Sequence, residues 1–201
     1  AAPMSLDQAA AALIQTPQFQ AFFGDSRVVD ADGAPMLLAH ATHADVEGDF
    51  AFERWQDGGV DREPSAGFFF SEPGEMARTY AEEGRSVVQA YLAIENPLDL
   101  TTQEGIDTLN AAIENSDALL RSPNNGLKLD APFTLDSTLW EQIVDREPDA
   151  PNDVMNGILA WAESMYDGVK LKEAARGATG VAWVAFDPTQ IKSVNNRGTW
   201  D

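Results

Sequence analysis

Cysteine is absent from this chain, which removes disulfides, thiolate metal ligands and cysteine nucleophiles together. Histidine is nearly so. Only His40 and His43 can supply an imidazole, and their short spacing makes at most part of a metal site, so no metal is expected. Cations are scarce: 13 Lys+Arg stand against 33 Asp+Glu, for a formal net charge of -20. That balance opposes docking on phosphate backbones and on anionic bilayers, so neither nucleic acid nor a membrane is an expected partner. It reads first as solubility, and second as an acidic face toward a basic partner. No apolar run approaches the roughly 20 residues of a membrane-spanning helix. No basic start followed by an apolar stretch suggests a secretory signal, so a soluble protein acting in a cytoplasm is expected. Neither G-x-x-x-x-G-K-[ST] nor G-x-G-x-x-G occurs, and no serine or zinc hydrolase motif stands out.

What is present is enough for a folded core. Hydrophobic residues make up 44% of the 201, which places the chain with globular domains, and its length suits a single domain over 1–201. Leu6, Ala9, Ala10, Leu13 and Ile14 form one apolar stripe, predicting a helix over 6–15 capped by Ser5. A second short turn starts at Pro17 and is ended by Gly24. Strands are predicted at 27–30, 35–42, 67–70 and 86–94, with a helix from Ser71, as its cap, to about Glu83. Residues 43–66 read as a surface loop whose Asp45, Glu47, Asp49 and Glu53 read first as solvated and second as candidates to contact a ligand or acceptor. Between 101 and 165 the apolar spacing turns helical, at 105–121, 137–146 and 153–165, and this stretch reads as an inserted, mainly helical lobe. Strands return at 168–171, 181–186 and 190–194. Helix, strands, helices, strands is an α+β order rather than alternating βαβ. Trp55, Trp140, Trp161, Trp183 and Trp200 are expected to pack.

Three separated segments point further. They are Leu38-Ala39-His40-Ala41-Thr42 at a strand end, Gly67-Phe68-Phe69-Phe70-Ser71 with Tyr80 on the helix beyond, and Val181-Ala182-Trp183-Val184-Ala185-Phe186-Asp187-Pro188-Thr189-Gln190-Ile191-Lys192-Ser193. Their order and spacing resemble the His-Tyr-Glu branch of ADP-ribosyltransferases, the diphtheria-toxin and poly(ADP-ribose) polymerase type. The stretches 16–29, 67–81, 186–193 and 197–201 look more closely like the ADP-ribosyltransferase domains of phage and mobile-element polyvalent proteins. The resemblance runs from about Thr16 to Asp201 and leaves 101–165 unaccounted for. It implies an α+β fold with a split β-sheet core, an N-terminal helix and a helical insertion.

The resemblance also implies roles. The chemistry breaks the bond between nicotinamide and ribose of NAD and leaves an oxocarbenium-like sugar, so a site must grip the carboxamide, stack the ring and oppose the positive charge. In the family a strand-end histidine bonds a ribose hydroxyl and the residue after it grips the carboxamide through its main chain. His40-Ala41-Thr42 matches, with alanine in the usual glycine place. Phe69 and Tyr80 match a tyrosine, ten residues, tyrosine pattern. Tyr80 would stack on nicotinamide, Phe69 keeps the wall without the hydroxyl, and Ser71 stands beside the ring. A family serine that also bonds the carboxamide falls at Ala77 and is missing. The catalytic glutamate lies five residues before the aspartate of the Phe186-Asp187 segment, which lands on Ala182. Either the enzyme works without that glutamate, or catalysis has been lost, or the sequence carries a silencing substitution. Gln190 falls in the following turn and reads as structural.

The expected function is therefore an NAD-dependent mono-ADP-ribosyltransferase of effector or toxin type, with NAD as co-substrate and a protein acceptor. A basic immunity or target protein would suit the acidic surface. A catalytically silent NAD-fold binding module and an NAD glycohydrolase are the alternatives. His40, Thr42, Phe69, Ser71, Tyr80 and Ala182 are expected around one cleft.

Overall fold

The computed structural model describes residues 6–42, 66–82, 86–115, 121–122, 125–126, 132–175 and 177–194. Two short helices open it, α1 (Leu6–Leu13) and α2 (Pro17–Phe23). Thr16 caps α2 by accepting from the Phe19 amide, Pro17 occupies its first turn, and Gly24 ends it with φ +52°. Phe19 stacks on Phe23 and meets Tyr91 edge-on, so α2 closes a small apolar cluster against the sheet.

The strands are β1 (Leu38–Thr42), β2 (Phe68–Ser71), β3 (Ser86–Leu92), β4 (Pro97–Asp99), β7 (Gly168–Ala175), β8 (Ala178–Ala185) and β9 (Ile191–Ser193), with a two-stranded hairpin of β5 (Arg121–Ser122) and β6 (Asn125–Gly126) apart from them. The seven-stranded sheet runs β4-β7-β8-β2-β1-β3-β9. Every pair is antiparallel except β4 with β7. Helix α3 (Glu75–Glu82) follows β2. Helices α4 (Gln103–Asn115), α5 (Leu139–Arg146) and α6 (Pro151–Glu163) lie in the chain between β4 and β7. The architecture is α+β, as the element order predicts.

Two apolar layers hold the sheet. On one face Leu171, Ala182 and Val184 pack with Ile106, Leu109, Ile143, Ile158 and Leu159 from the three helices. On the other, Phe68, Phe70 and Trp183 meet Leu38, Ala90 and Leu92. Strand alternation sends successive residues to these two layers. The sheet also closes on itself at one end. Asp167, just before β7, accepts from the Glu95 and Asn96 amides after β3. Gln190, in the turn before β9, donates to the carbonyls of Ala93 and Asp167 and accepts from the amides of Phe186 and Asp187. Its structural reading from the sequence fits these four bonds.

Several expectations need correction. Residues 27–30 form no strand: only a single bridge joins Val29 to Pro35 around a turn in which Asp30 accepts from the Asp32 and Ala34 amides. The predicted strand over 35–42 starts at Leu38. Ser71 does not cap α3; it ends β2, and Pro73-Gly74 separates it from the helix. The helix predicted over 105–121 begins at Gln103 and is described to Asn115, Arg121 belongs instead to a two-residue strand, and 116–120 lie outside the described residues; β4 was not foreseen. Trp140 is exposed rather than packed. Ser5, His43, Trp55, Trp200 and the acidic loop lie outside the described residues.

Candidate active site

The candidate site residues gather where β1 and β2 part. Strand β1 pairs with β3 along its whole length, from Leu38 opposite Ala90 to Thr42 opposite Ser86. Its pairing with β2 is a single position, Ala39 opposite Ser71. One step further, the Phe69 carbonyl that would continue the ladder instead bonds His40 Nδ1 at 2.7 Å. A carbonyl only accepts, so Nδ1 carries the proton, and when the ring is neutral Nε2 is its acceptor nitrogen. The ring also leans on Phe70, centroids 5.1 Å apart. Because main-chain groups alternate along a strand, those of Ala41 point to the same gap as those of Ala39. Thr42 is buried at the end of β1.

Strand β2 then carries the site toward β8. Its register sets Phe69 opposite Val184 and Ser71 opposite Ala182. Directly opposed residues share a face, so Ala39, Phe69, Ser71 and Ala182 look the same way. Phe69 is half-buried and packs against the helical lobe's cluster. Ala182 is 0% exposed in that cluster. Helix α3 crosses this face: a Cβ on Gly180 would stand 2.9 Å from Met76 Cγ. Tyr80 belongs to the last turn of α3, and its side chain lies outside the described residues. The structure thus brings His40, Ala41, Phe69, Ser71 and Ala182 to one junction of β1, β2 and β8, and hangs the Tyr80 backbone on the helix that crosses it.

The sequence reading missed one residue here. Ser71 is 3% exposed, and its hydroxyl donates to Glu173 Oε2 at 2.7 Å. Glu173 stands on β7, opposite Gly180 of β8. The available signal was period two: Val169 and Leu171 are core residues, so an acid two positions on breaks an apolar face. Ending the strand at Leu171 hid it. Among the described residues, no group of three His, Asp or Glu side chains could hold a metal ion.

A seven-stranded α+β sheet with a histidine near the end of β1 is consistent with an ADP-ribosyltransferase-like fold. The chain belongs to the family of ADP-ribosyltransferases in polyvalent proteins, whose model matches residues 30–200. The stretch 16–29, also read as similar, precedes that match. No curated relative matches at a significant level, and no solved structure does. The family uses NAD as its substrate.

Proposed function

We propose that the chain transfers a single ADP-ribose from NAD to a macromolecular acceptor, a protein, as an effector or toxin-like domain. The observation that carries this reading is the bond from His40 Nδ1 to the Phe69 carbonyl at the parting of β1 and β2, in a chain of this family. The bond orients the ring and fixes its tautomer. Nε2 then suits acceptance from a ribose hydroxyl. The Ala41 main chain, aimed at the same gap, grips the carboxamide. Tyr80 stacks on nicotinamide, while Phe69, Ser71 and Thr42 wall the ring and the ribose. Position 182 is where the family glutamate would stand.

The acidic surface favours a basic acceptor or immunity protein, and all 201 residues act as one domain in which 101–165 is a helical insertion that shapes acceptor choice. Two measurements separate this reading from its rivals. Calorimetric titration with NAD should show binding that His40→Ala weakens, and mass spectrometry should find ADP-ribose on a protein acceptor. Nicotinamide release without modified protein would make the chain a glycohydrolase. Absence of both binding and release would make it a silent module.

A further inference from the structure

The alanine at 182 leaves the reaction without the carboxylate that opposes the sugar's positive charge, yet the same face of the sheet carries one. We propose that Glu173, reaching across from β7, supplies the negative charge that the family places at position 182. This rests on the transferase reading above. Glu173 opposes Gly180, Leu171 opposes Ala182, and Ala182 opposes Ser71. Residues two apart on one strand share a face, as do opposed residues on neighbouring strands. Glu173, Gly180, Ala182 and Ser71 therefore form one patch.

Neighbouring strands lie about 4.8 Å apart, so a side chain from β7 must cross the whole of β8 to touch β2. Glu173 does so, and its carboxylate ends 2.7 Å from Ser71 Oγ. It crosses where β8 carries only a methyl at Ala182 and no side chain at Gly180, over which Met76 of α3 packs. The Ser71 hydroxyl donates to it and so holds it beside the site of Ala182. Ala182 itself is 0% exposed. A longer side chain at 182 would press into the apolar cluster or contend with the Glu173 carboxylate. The substitution of the family glutamate and the placement of Glu173 are two halves of one arrangement.

In the step this serves, the bond between ribose C1′ and the nicotinamide nitrogen breaks. Its electron pair goes to the ring, which leaves neutral. An O–H or N–H group of the acceptor bonds to C1′, and its proton passes to the Glu173 carboxylate. Before that transfer, the carboxylate faces the oxocarbenium-like sugar and stabilises it.

The test measures nicotinamide release and NAD affinity in the full chain and in Glu173→Gln, Glu173→Asp and Ala182→Glu, with unfolding curves for each. Glu173→Gln keeps the shape and an oxygen for Ser71 but loses the charge. It should lower release by about 100- to 1,000-fold with NAD affinity little changed, because the charge is used chiefly in the transition state. Glu173→Asp, one methylene short of Ser71, should fall as well, and it carries the test if Glu173→Gln does not fold. Ala182→Glu should not exceed the parent. If the parent turns over NAD and Glu173→Gln matches it, the proposal fails while the transferase reading stands. If the parent binds NAD without releasing nicotinamide, or if Ala182→Glu raises release sharply, Glu173 is not the catalytic carboxylate. If the parent neither binds nor turns over NAD, both readings fall.

Discussion

Replacing Gln190 by alanine should unfasten the closed end of the sheet without touching the chemistry. Four side-chain bonds disappear: two accepted from the Phe186 and Asp187 amides at 2.9 Å, and two donated to the Ala93 and Asp167 carbonyls at 3.2 and 2.6 Å. The Ala93 amide keeps its bond to the Gln190 main-chain carbonyl. A hydrogen bond contributes a net ~0.5–1.5 kcal/mol. Gln190 is half-buried and Asp187 exposed, so water recovers part of the sum and the expected loss is about 2–3 kcal/mol. For a chain of this size that is about 4–12 °C in Tm. Urea denaturation and scanning calorimetry read the loss, and NAD turnover per folded molecule is measured well below the transition. Gln190→Glu should lose about as much, because a carboxylate would face two carbonyls. A loss under about 0.5 kcal/mol would refute the clasp. A fall in turnover while the variant remains fully folded would move Gln190 into the chemistry.

Other perturbations read other parts of the account. Gly105→Ala should cost about 1–3 kcal/mol in chemical denaturation, since its Cβ would collide with the Asp99 carbonyl where α4 begins. Glu141 closes a capping box with Thr138, and the Thr138 backbone bond first, then the side-chain bond, holds its carboxyl below the ordinary 4.5. A depressed folded-state value makes its contribution present above 4.5 and lost as pH falls through the lower folded value; the stability gap between the parent and Glu141→Gln should therefore be full at neutral pH and shrink in acid. Tyr80→Ala should weaken NAD affinity by the worth of one aromatic stack, about 0.5–1.5 kcal/mol or two- to tenfold, with Tyr80→Phe near the parent in the same titration.

Much of the fold follows from local patterning. The segment from Pro17 to Phe23 was legible as a turn bounded by Pro17 and Gly24, and the structure makes it a helix of those bounds, capped by Thr16. The late strands were legible because β-rich runs end at turn signals, yet their lengths were not: β7 continues through Lys172 and Glu173, whose polar character reads as a strand end. Strand β4 is three residues long, and only its parallel pairing with β7 makes it a strand; no local pattern carries that. At the site, His40 and the Phe69 segment were found through their resemblance, in order and spacing, to the family's motifs. The bond between them joins positions 29 residues apart, and Ser71 and Glu173 are 102 apart. Such pairs depend on sheet order, which a linear pattern does not contain. Ser71 read as a helix cap for the same reason: serine before a proline is a good local signal, and its true partner stands two strands away.

The central claim is that His40, seated at the parting of β1 and β2, serves an NAD-dependent transfer. The most direct measurement follows nicotinamide released from NAD by the purified chain beside His40→Ala, with unfolding curves to show that both are folded. The account predicts steady release by the parent, and both weaker NAD binding and much slower release by His40→Ala. Equal release by the two proteins, or no release and no NAD binding by the parent, would contradict it.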